Sequence, residues 1–110
     1  MFGRAIANAR NRASKKEIPF DITKDYILSL FESQGGRCFY SDIQLNIVKE
    51  NEERTHDPFK MSLDCIDPAL GYVEGNVVWC AYCVNALKLK MTVESMVDVC
   101  REIVKKADQA

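Results

Sequence analysis

The chain has one histidine, an odd number of cysteines and a net charge of only −1 across 110 residues. Each of these shortages narrows what it can be. A single imidazole, His56, excludes any site built on several histidines. Five cysteines (Cys38, Cys65, Cys80, Cys83 and Cys100) leave one over in any pairing, and the N-terminus lacks the continuous apolar stretch of a secretory signal, so a disulfide framework is not expected. No apolar run approaches the roughly 20 residues that cross a bilayer, and no membrane partner is expected. There is no internal repeat, no low-complexity tract and no composition shift that would mark a second domain. The default expectation is therefore a soluble, cytoplasmic protein, with residues 1–110 forming one domain and a hydrophobic content of 47% supplying a modest core.

The near-neutral total hides an uneven distribution. Residues 1–24 carry Arg4, Arg10, Arg12, Lys15, Lys16 and Lys24 against Glu17 and Asp21, whereas Glu50, Glu52 and Glu53 make a later loop acidic. Phe2, Ile6, Ala9 and Ala13 recur at helical spacing, so the basic residues sit on a first helix ending before Pro19. Such a helix suits phosphate contacts through Arg10, Arg12, Lys15 and Lys16, or else is an ordinary solvated face. Ile27, Leu30 and Phe31 mark a second helix, starting near Asp21 to Thr23 and stopped by Gly35-Gly36; residues 1–34 thus form a basic helical extension. Cys38-Phe39-Tyr40 reads as strand-like, and Lys49 to Lys60 as an exposed loop suited to contacting DNA. Near the C-terminus, Thr92 can cap a helix over residues 92–108 whose Val93, Met96, Val97, Cys100, Ile103 and Val104 share one face, a bracing helix by this pattern.

Between these helices lies the most informative stretch. Ser62-Leu63-Asp64-Cys65-Ile66-Asp67-Pro68 reads as a strand running into a loop, Gly71-Tyr72 and Gly75-Asn76 continue the loop, Val77-Val78-Trp79 is a second strand, and Ala81 to Lys90 is a helix. In that order Asp64 and Asn85 can point at one spot. A hard divalent cation would suit it, because Mg²⁺ needs only one or two protein oxygens and keeps several waters. Asp64 also sits in an apolar run, where a carboxylate without a cationic partner is costly to bury.

This order of motifs resembles the HNH nucleases, a branch of the ββα-metal or His-Me finger endonucleases, and is most similar to their phage-type variant. The likeness extends more weakly upstream through Ile18 to Thr23 and Gly35 to Tyr40. It implies an α+β fold, a small ββα-metal core (residues 36–90) with flanking N- and C-terminal helices. It also implies DNA phosphodiester hydrolysis with Mg²⁺ or Mn²⁺, in a bacterial or phage-infected cell. Carried over, the pattern makes Asp64 and Asn85 metal ligands, gives Asn76 the loop between the strands, and places Lys88 for a phosphate contact. Where the best-known branch has a histidine that activates water, this chain has Cys65, a poor base at neutral pH. His56, eight residues before Asp64, is a candidate replacement if its segment folds back, and otherwise a solvated loop residue.

Cys80-Ala81-Tyr82-Cys83 has zinc-knuckle spacing, but its upstream counterpart Cys38-Phe39-Tyr40-Ser41 supplies only one thiol. A structural Zn²⁺ on Cys38, Cys80 and Cys83 would thus have three ligands of four, and buried inert thiols are the preferred reading. Two other functions stay open: a DNA-binding module descended from a nuclease, and a cysteine-rich interaction module. Cutting both strands at once needs two active units, which admits a homodimer.

Overall fold

Helix formation at the N-terminus follows from two alanines. Ala9 and Ala13 are fully buried because their small side chains let helix α1 (Gly3–Lys16) lie directly on the central hairpin, with Ile6 completing the contact stripe. This computed structural model describes residues 2–47 and 57–109. After α1 come strand β1 (Phe20–Asp21), helix α2 (Lys24–Ser33), strands β2 (Met61–Cys65), β3 (Tyr72–Val73) and β4 (Val77–Ala81), and helices α3 (Tyr82–Lys88) and α4 (Val93–Asp108). The class is α+β, as expected.

The hairpin of β2 and β4 is the organising element. They pair antiparallel, with Leu63 opposite Trp79 and Asp64 opposite Val78, and every residue of both strands is buried. Helices pack against both strands, so β4 reads as a continuous apolar run, whereas β2 alternates and buries Ser62 and Asp64 between Met61, Leu63 and Cys65. Trp79 is the core's centre: its indole N–H donates to Ile27 O at 2.8 Å, and its ring packs at an angle against Phe2 and Phe31. The outward-facing backbone of β4 is met by a side chain. Gln34 accepts from Trp79 N at 2.9 Å and donates to Trp79 O at 2.8 Å, standing in for a neighbouring strand.

A second, parallel pair joins β1 to β3, bringing Phe20 opposite Tyr72. It depends on a close approach at Gly71, whose φ is +78° and where an added Cβ would lie 2.8 Å from both Cδ and the carbonyl oxygen of Pro19. Gly75 has a similar φ of +85° with open space around it. Gly75→Ala should therefore cost only the left-handed backbone strain, about 1–2 kcal/mol, and Gly71→Ala about 3 kcal/mol or more because backbone must also move. Urea denaturation of the two variants separates the contributions; equal losses would mean that the Pro19 contact is not tight.

Three expectations change here. Cys38 to Tyr40 form a tight turn closed by Cys38 N to Ile43 O and Asp42 N to Cys38 O, and only an isolated bridge, Arg37 to Gln44, is β-like. The helix expected over Ala81 to Lys90 is shorter, because Leu89 turns to φ +49°. Along α4, capped by Thr92 Oγ1 as expected, Met96 is the one fully buried side chain, so the helix braces the core only at its N-terminal half. Among the described residues no helix is long and apolar enough to cross a membrane.

Candidate functional site

Alternation along β2 puts Ser62 and Asp64 on one face, and the first helix after β4 runs along that face. Two residues of α3 spaced by three, Asn85 and Lys88, meet these two strand positions in turn. Asn85 Nδ2 donates to Ser62 Oγ at 2.8 Å, and Lys88 Nζ lies 3.2 Å from Asp64 Oδ2. The same ammonium donates to Cys65 O at 2.9 Å, and Tyr40 donates its hydroxyl to Asp64 Oδ2 at 2.7 Å. The cation that a buried Asp64 requires is thus supplied by the protein.

Lys88 consequently does not reach the surface. Its side chain is 0% exposed and that of Asp64 10%, so the expected phosphate contact gives way to an internal ion pair. A carboxylate with one oxygen held by Tyr40 and Lys88 has its rotamer set, and among the described residues its Oδ1 accepts no hydrogen bond. The same holds for Oδ1 of Asn85, whose amide orientation follows from the donation to Ser62. Both residues line one cleft of about 540 Å³, together with Arg12, Lys16, Tyr72 and Tyr82.

Electrostatics around the cleft separate the protonic groups. Burial, then the neighbouring Asp64 carboxylate, push the Cys65 thiol up to about 12, with Tyr72, Lys88 and Arg12 opposing. Cys65 is therefore a protonated thiol at neutral pH, and its expected weakness as a base has a physical cause. Tyr72 is raised to about 12, by burial against the opposing Arg12 guanidinium. Tyr40 and Cys80 are also raised, each chiefly by burial and then by Asp64, so Tyr40 remains a donor to the carboxylate.

These shifts share a sign. Each group is harder to ionise folded than unfolded, so its contribution to stability is complete below the unfolded value and is lost as pH rises toward the folded one. For Cys65 the window runs from 9.0 to about 12, and for Tyr72 from 10.0 to about 12. Urea midpoints should hold steady through neutrality and fall steadily above about pH 9; an unchanged midpoint at pH 11 would contradict the burial of these groups.

The basic helix divides. Arg12 and Lys16, one turn apart on α1, line the cleft. Arg12 is fixed there, donating through Nη2 to Leu63 O at 2.7 Å and to Tyr72 Oη at 3.3 Å, with its remaining N–H groups unpartnered among the described residues. Arg10 instead stacks over the Phe20 ring at 5.1 Å, and Lys15, although exposed, does not line the cleft. Asn76 is also off the cleft. It is buried, accepts from Asp67 N at 3.0 Å and donates to Asp67 O and Gly71 O at 2.9 and 2.7 Å, so it holds the loop between the strands. His56 lies outside the described residues.

The zinc set does not assemble. Cys38 and Cys80 are core residues, and among the described residues no three His, Cys, Asp or Glu side chains gather to hold a metal ion. Ser62, Tyr40 and Gln34 were not singled out from the sequence. Ser62 carried a usable signal, since it stands two residues before Asp64 on a strand and so shares its face; Tyr40 is 24 residues from its partner and carried none.

Compared with models of protein families, with curated proteins and with solved structures, the chain matches none. The likeness to HNH nucleases therefore rests on its own motifs.

Proposed function

We propose that this cleft is a divalent-metal-dependent site for hydrolysing DNA phosphodiester bonds. The observation that carries this reading is that Asp64 and Asn85, each with an Oδ1 that has no protein partner among the described residues, line one cleft together with the anchored Arg12. One carboxylate oxygen and one amide oxygen fit the donor number and hardness that Mg²⁺ or Mn²⁺ takes from a protein. Bound there, such an ion supplies Lewis-acid polarisation of a phosphoryl oxygen.

The chain's own groups have definable tasks. Tyr40 and Lys88 fix the Asp64 rotamer and Ser62 fixes the Asn85 amide, so neither ligand has to reorganise. Arg12 would present to a phosphate the N–H groups that have no partner among the described residues, with Lys16 and Lys90 adding charge along the cleft. Cys65, held as a thiol, takes no proton at neutral pH.

The test is plasmid nicking by the purified chain with Mg²⁺ or Mn²⁺ and its suppression by a chelator, with Asn85→Ala as the inactive control. A second reading has a specific observation behind it. Lys88 already neutralises Asp64, which favours a DNA-binding module without cleavage; salt-sensitive binding with intact plasmid under every divalent metal would select it.

A further inference from the structure

Outside the cleft, the least satisfied surface is the apolar face of α4. Val93, Met96, Val97, Cys100, Ile103 and Val104 share one arc of this 16-residue helix, yet Ile103 and Val104 are 56% and 57% exposed. Between α4 and the body runs an apolar groove of about 490 Å³, with Tyr40, Val84 and Leu87 on one wall and Val97, Cys100 and Val104 on the other. Only the N-terminal half of α4 is anchored, through Met96; every residue from Arg101 to Asp108 is exposed.

We propose that this face pairs with α4 of a second copy of the chain, the two helices running antiparallel. The charge pattern selects that occupant and that orientation. Residues Val93 to Cys100 contain Glu94 and Asp98 and no basic residue, whereas Arg101 to Asp108 contain Arg101, Lys105 and Lys106 against Glu102 and Asp108. Antiparallel pairing sets the acidic half of each helix against the basic half of the other, with the two-fold axis near Cys100 and Arg101; parallel pairing would oppose like with like. The opposed helix dipoles favour the same direction. The exposed half of each helix then lies along the anchored half of its partner, covering the groove, and the contact is isologous and closes at two copies. None of this depends on what the cleft does.

Sedimentation equilibrium across a concentration series tests it. The wild-type chain is expected at about twice its 12.5 kDa mass. Glu94→Lys with Asp98→Lys, and separately Lys105→Glu with Lys106→Glu, should each give monomers, because each swap opposes like charges at both ends of the pair. An equimolar mixture of the two double variants should return to the dimer mass, since the swapped halves are again complementary. Ile103→Glu with Val104→Glu, at positions already exposed, should give a folded monomer by circular dichroism. A wild-type chain that stays monomeric at millimolar concentration overturns the proposal, as does a dimer that survives all these variants or a mixture that fails to recombine.

Discussion

Lys88→Met lowers the stability of the folded chain by about 3–5 kcal/mol, the expected cost of leaving one member of a buried ion pair without its partner. The methionine fills much the same volume, so little of the loss comes from packing. What goes is the ammonium 3.2 Å from Asp64 Oδ2 and its hydrogen bond to Cys65 O, leaving a nearly buried carboxylate with Tyr40 as its only donor among the described residues. A second substitution makes the result diagnostic. Asp64→Leu added to Lys88→Met should recover most of the stability, because apolar replacement of a whole buried pair is often neutral or better. Urea denaturation of the two single variants and the double variant gives the coupling directly. A loss below about 1 kcal/mol, the range of exposed pairs, would place the ammonium in water and return Lys88 to the candidate phosphate contacts.

The second large effect is on chemistry. Asn85→Ala should reduce metal-dependent cleavage by about 100-fold or more, comparable to removing one preorganised electrostatic group from a site, with the fold intact. Asn85 is half-buried and its one side-chain hydrogen bond among the described residues runs to Ser62, so truncation leaves no buried charge behind. Asp64→Ala is the less informative variant, since it strands Lys88 and confuses lost activity with lost folding. Asp64→Asn avoids this: its single carbonyl oxygen can still accept from Tyr40 and Lys88, turning an NH₂ toward the cleft where an acceptor stood. Ser62→Ala frees the Asn85 amide to rotate and should cost about 10–100-fold, the usual range for a residue that orients a ligand. Full cleavage in Asn85→Ala, with wild-type metal dependence, would remove this residue from the site.

Much of the helical framework was readable from local rules. The stripe Ile6, Ala9, Ala13 marked α1, a start near Asp21 to Thr23 marked α2, the Thr92 cap marked α4, and the β-branched run ending at Trp79 marked β4. Asn76 holding its loop, expected from the resemblance, rests on local contacts, because its three side-chain hydrogen bonds among the described residues stay within nine residues. Where the reading slipped, a distant partner had intervened. Cys38 to Tyr40 had strand composition and Phe39 N does donate to Trp79 O, but Gln34 takes the N–H of Trp79, so the pairing with β4 stops at that one bond.

Lys88 shows the limit most clearly. Its place on a helix after Asn85 was legible, and its charge suggested phosphate; nothing local says that its ammonium turns inward. That follows from α3 lying along β2, which matches a helix spacing of three to a strand spacing of two. The sequence by itself determined most of the helices and the cap of α4, since these follow from periodicity and side-chain chemistry within a few residues. Tertiary structure alone decided that Asp64 and Asn85 line one cleft, that Arg12 lines it while Arg10 stacks on Phe20, and that Lys88 pairs with Asp64. Those outcomes depend on contacts between groups 23 to 51 residues apart, and their geometry exists only once the strands and helices have packed.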